Sequence, residues 1–298
     1  MVVMADLGSG PSLADLLAGS DGDAALEAAS MWGRDSARLL TASRDAVPRF
    51  CELVRQADPG SRSAGGPASP RLPARGLATL CARLGVSDGV AEQATAEVAL
   101  LGELAGRDGS RVCSQADPAP DNLLVASDPV RNSIVGGGAA AGGDDSAQAI
   151  IAIDYEAASY HHIAVDLLGL MVPWPASGLL AATPGEFQEA VISGFGSAHE
   201  GLADLLDDPD LDRMTGLAAM SVALQMTELT LEPLIRREDV GRFSGGRSRL
   251  VTLWRAAADH TAAVTPTLSR LCNQAAETAV GAWEWPGSLP MYPCFGRS

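Results

Sequence analysis

The chain has 298 residues, 47% of them hydrophobic, with mean hydropathy +0.11, which is enough apolar material for one large core or two small ones. Its 37 acidic residues outweigh 21 basic ones, all of them arginine, for a formal net charge of −16. Such a surface repels nucleic-acid backbones and anionic lipid headgroups and draws in small cations, so it argues against nucleic acid and membrane as partners and favours a cationic small molecule.

From the N-terminus, Val2, Val3 and Met4 form a short apolar run ending at Asp6-Leu7-Gly8. Ser9-Gly10-Pro11-Ser12 then supplies a bend and a helix cap ahead of Leu13, Leu16 and Leu17. Residues 23–43 and 91–105 carry apolar side chains at helical spacing. Between them, the Pro, Gly and Ser content around 57–75 predicts a flexible surface loop. Residues 111–113, 123–125 and 149–153 read as short strands, and the Gly/Ala-rich stretch within 127–148 as a second flexible loop. From Ile163 onward the pattern is helical, with segments near 185–204, 211–236 and 247–281, and the chain ends in the aromatic, proline-rich WEWPGSLPMYPCF. The most apolar stretch, 163–182, is interrupted by Asp166, Pro173 and Pro175, so it falls short of a membrane span.

Five cysteines, at 51, 81, 113, 272 and 294, form no C-x-x-C pair, and the odd number leaves a free thiol. Together with an N-terminus that has no signal-peptide pattern, this points to a reducing cytoplasm. The four histidines form no metal-ligand spacing with the cysteines, and Ser197 in GFGSAHEG does not sit in a G-x-S-x-G elbow. The segment GGGAAAGG at 136–143 lacks the Lys-Ser/Thr of a phosphate-binding loop. Trp283 and Trp285 read as packing residues rather than a cation cage.

The chemistry concentrates in QADPAPDN, where Asp117 precedes Asn122 by five residues and an apolar run comes directly after. In phosphoryl transfer a carboxylate meets the attacking hydroxyl, while an amide oxygen at the end of the same loop holds magnesium against the phosphates. A second metal-binding carboxylate is present in Asp154, at the mouth of the apolar run IIAI.

Asp117, Pro120 and Asn122, then Ile153-Asp154-Tyr155-Glu156, then Asp166-Leu167, resemble the H-G-D-x-x-P-x-N, I-D-[WFY]-E and D-L-A motifs of aminoglycoside phosphotransferases and choline kinases. Met4 to Gly8 resembles that family's hinge, and residues 33–42 its following helix, so the resemblance spans residues 2 to about 270. It implies an α+β, mainly helical fold: the C-terminal lobe of a protein-kinase-like enzyme, with a few short strands around the catalytic loop. Residues 1–8 would be the remnant of the hinge strand and 9–298 the helical lobe.

The resemblance further implies transfer of the ATP γ-phosphate to a hydroxyl of a small molecule. Asp117 would be the base, Asn122 and Asp154 the magnesium ligands, and Asp6, Leu7 and Gly8 the adenine-side hinge. Gln115 and Asp166 would be structural supports, with the Asp166 carboxylate pinning the backbone of the catalytic loop. The acceptor cleft would lie among the helices after Asp166. ATP and Mg2+ are the expected cofactors, bound weakly, because the strands ahead of the hinge and the ATP-contacting lysine have no counterpart here.

Where the family has histidine, this chain has Gln115 and Ala119, Pro118 succeeds Asp117, and Asp121 replaces a common glycine. These departures leave a non-catalytic pseudokinase or binding module as the alternative, and a misplaced gene start as a third reading. An apolar front edge at residues 1–8 would pair with a second copy or a partner protein.

Overall fold

The computed structural model describes residues 10–57, 71–105, 110–115, 119–126, 149–153, 158–171, 181–236 and 245–296. Within them the protein is mainly helical, with four short strands in two small sheets. Helix α1 (Leu13–Ala18) begins where the sequence predicts, because Ser12 and Asp15 close a capping box: the Asp15 main-chain N–H donates to Ser12 Oγ and the Ser12 N–H donates to Asp15 Oδ2.

Helix α2 (Gly22–Ala57) runs fourteen residues past the expected end at 43 and carries Pro48 inside it. Proline there removes one helical hydrogen bond, a local cost that the helix absorbs along its packed length. The expected loop at 57–75 also contracts, since α3 (Arg71–Leu84) begins at Arg71. Pro73 is tolerated in the first turn, where an N–H has no intrahelical partner. The predicted 91–105 helix divides into α4 (Asp88–Val98) and a 3-10 turn at Ala99–Ala105.

After the strands come α5 (Ala164–Met171), α6 (Gly185–Gly196), the short α7 (Ala203–Leu206), α8 (Leu211–Ile235), α9 (Gly246–Thr261) and α10 (Pro266–Gly281). The expected single segment 247–281 is therefore two helices, and Pro266 opens the second at its first position. No helix among the described residues is long and apolar enough to cross a membrane.

The main core lies among α3, α8, α9 and α10, with Trp254, Leu250, Leu217, Leu224 and Leu268 buried in it. Trp285 stacks on Trp254 at 6.4 Å between ring centroids, and the Trp254 indole N–H donates to Thr227 Oγ1 at 2.9 Å. The C-terminal tryptophans thus pack as the sequence suggests, with Arg247 lying over the Trp285 ring. Cys272, fully buried in this core, faces the Met220 sulfur, and burial pushes its thiol up to about 12.

A second apolar cluster joins α1, α2 and α6 to the strands. Here α2 and α6 cross with their backbones almost touching: a side chain at Gly33 would strike the Val191 carbonyl, and one at Gly194 would strike the Ser30 carbonyl. Two glycines facing each other's helix set this distance, and a methyl on either would push the helices apart.

Candidate functional site

Strand β1 (Arg111–Ser114) pairs antiparallel with β4 (Ser159–His162), and β2 (Leu123–Ala126) pairs antiparallel with β3 (Ala149–Ala152). In the first ladder Ser114 faces Ser159, and in the second Leu123 faces Ala152. Both connecting segments, 115–122 and 153–158, therefore leave one ladder and enter the other at the same pair of ends. Two hydrogen bonds tie them together. The Ile153 N–H donates to the Asn122 carbonyl at 2.9 Å, and the buried Gln115 side-chain amide donates to the Ile153 carbonyl.

Of the predicted site residues, Asn122 ends the 3-10 turn Pro120–Asn122, partly exposed and directly against Ile153. Gln115 is buried at the root of the first segment and acts there as a strut. Asp154 is next to Ile153 in the chain and Asp117 is two residues from Gln115, but both lie outside the described residues, as do Asp6, Leu7 and Gly8. A few residues after Gly8 the chain lies along β2: the Val125 N–H donates to the Pro11 carbonyl at 2.9 Å, and Ser12 bridges to Leu124. A side chain at Gly10 would strike the Val125 carbonyl, so glycine allows this close approach.

Asp166 stands in the first turn of α5, and its described partner is a side chain rather than loop backbone. Its Oδ2 lies 2.8 Å from His161 Nε2. His161 is wholly buried; its Nδ1 is 2.9 Å from Ser159 Oγ, and Nε2 is also 3.4 Å from Ser114 Oγ. With the Nε2 proton serving the carboxylate, Nδ1 accepts from the Ser159 hydroxyl. One imidazole thus links α5 to Ser114 and Ser159, the residues that flank the two connecting segments. The next residue, His162, accepts at Nδ1 from the Ala164 N–H at 3.1 Å, and burial lowers its pKa; Asp208 and Asp210 oppose that shift while His161 adds to it.

Strand β4 is absent from the strands predicted by sequence, and so is the role of α2 behind the ladders. Asp35 Oδ2 accepts from the Ile150 N–H of β3 at 2.9 Å, and Ser43 Oγ accepts from the Cys113 N–H of β1 at 3.0 Å. Arg34 and Arg38 brace Asp35 from the same helix. Asp35 and Ser43 are eight residues apart, about two helical turns, so a single helix face holds both ladders at fixed separation. The only sequence signal for this is polar side chains recurring on an otherwise apolar helix face.

No family model matches this chain, and no curated protein matches it.

Proposed function

We propose that the protein is a phosphotransferase-like enzyme acting on a hydroxyl group of a small molecule, with the architecture of a protein-kinase-like C-terminal lobe. The observation that carries this reading is the pairing of β1 with β4 and of β2 with β3. It ties the roots of the D-x-x-x-x-N segment and of the I-D-Y-E segment together through the Ile153 to Asn122 hydrogen bond. A base on one segment and a metal-binding carboxylate on the other need that adjacency.

The donor chemistry fits magnesium. The Asn122 amide oxygen and the Asp154 carboxylate are hard oxygen ligands, and Asn122 is partly exposed beside Ile153. When bound, Mg·ATP would supply the transferable phosphoryl group with its charge partly neutralised. The chain's own residues would do the rest: Asp117 takes the proton of the acceptor hydroxyl, Asn122 and Asp154 hold the metal, and Gln115 and the His161–Asp166 pair keep the two segments in register. The 298 residues contain no lysine, so the permanently cationic side chains they can offer to a phosphate are arginines.

Transfer of labelled γ-phosphate from Mg·ATP to a panel of small alcohols and amino alcohols tests the reading. Asp117→Asn should lower transfer by about 100-fold or more with nucleotide affinity unchanged. Asp154→Asn should remove the magnesium dependence of ATP binding in calorimetry. Unchanged transfer in Asp117→Asn, or ATP binding indifferent to magnesium in the unaltered chain, overturns it.

A further inference from the structure

We draw no further inference here: the strongest candidate, the N-terminus of α9 with the buried Arg249 in its first turn, carries nothing, because no second feature among the described residues points to a ligand there.

Discussion

The helical bundle of α3, α8, α9 and α10 and the strand region of β1 to β4 are held together by different means. In the bundle the core is dominated by apolar side chains, and most of its buried polar groups are satisfied locally: the Thr215, Thr227, Thr230 and Thr261 hydroxyls donate to carbonyls one turn back on their own helices, and the Trp254 indole donates to Thr227. In the strand region the two ladders are four residues per strand, and buried Ser114, Gln115, Ser159, His161 and His162 lie among them. The first region derives its stability from apolar area. The second depends on each buried polar group keeping its partner, because an orphaned donor or acceptor costs more than the bond contributed. The part of the molecule that carries the candidate chemistry is thus built on geometry, and the part that stabilises the fold is built on packing.

The largest effect that should separate the two regions is Trp254→Ala. Loss of a fully buried indole stacked on Trp285 should cost about 3–5 kcal/mol in denaturant unfolding. A loss under about 1 kcal/mol would mean that the bundle is not the main source of stability.

Next come Asp35→Ala and Ser43→Ala, each of which strands one strand N–H, at Ile150 and Cys113 respectively. Each should cost about 1–3 kcal/mol. Faster amide exchange should be confined to the ladders; exchange that quickens equally in α8 and α9 would erase the distinction between the regions.

The same contrast governs what is legible in the sequence. The α1 cap is readable because Ser12 and Asp15 are a local pair, and α8 matches its expected 211–236 span to within a residue because no proline breaks its helix-forming sequence until Pro233. Strand β4 is invisible because Ser-Tyr-His-His carries no apolar alternation, although Ser159, His161 and His162 are all buried. Its burial is explained by partners far along the chain or across a turn, Asp166 and Ala164 among them, which no periodicity reveals. The break before Pro266 escapes notice for the opposite reason, since the apolar pattern continues through it. At the candidate site, Asn122 stands out by its spacing from Asp117 and Gln115 and Asp166 through the motif resemblance, whereas Asp35, Ser43 and His161 act through contacts outside those motifs.

A smaller effect concerns pH and should act through the strand region alone. Burial depresses the His162 pKa, so the folded state holds this ring neutral below the ordinary value of 6.5. Above that value neither state binds the proton and His162 contributes no pH dependence. As pH falls below it, the unfolded chain takes up a proton that the folded one does not, and stability declines by at most about 1.4 kcal/mol per pH unit. His162→Asn should flatten this part of the stability profile between the folded value and 6.5. A slope that persists unchanged in the variant assigns the effect to another group.

The smallest effect belongs to neither region's interior. Arg44 and Asp204 form a two-point ion pair at 2.7 Å, but Asp204 is 64% exposed. Arg44→Gln should change stability by less than about 1 kcal/mol and less again at high salt. A larger loss would show that the contact of Arg44 with the Gly201 carbonyl anchors the turn before α7.

The buried thiol of Cys272 gives the bundle a built-in clock. A sulfhydryl held near pKa 12 against Met220 offers almost no thiolate to an alkylating reagent while the core is closed. Cys51, Cys81, Cys113 and Cys294 are all partly exposed and are the thiols an alkylating reagent can reach first. Once those four are capped, the rate at which a fifth equivalent is taken up measures how often α8 and α10 part, which makes the opening of this core readable by mass alone.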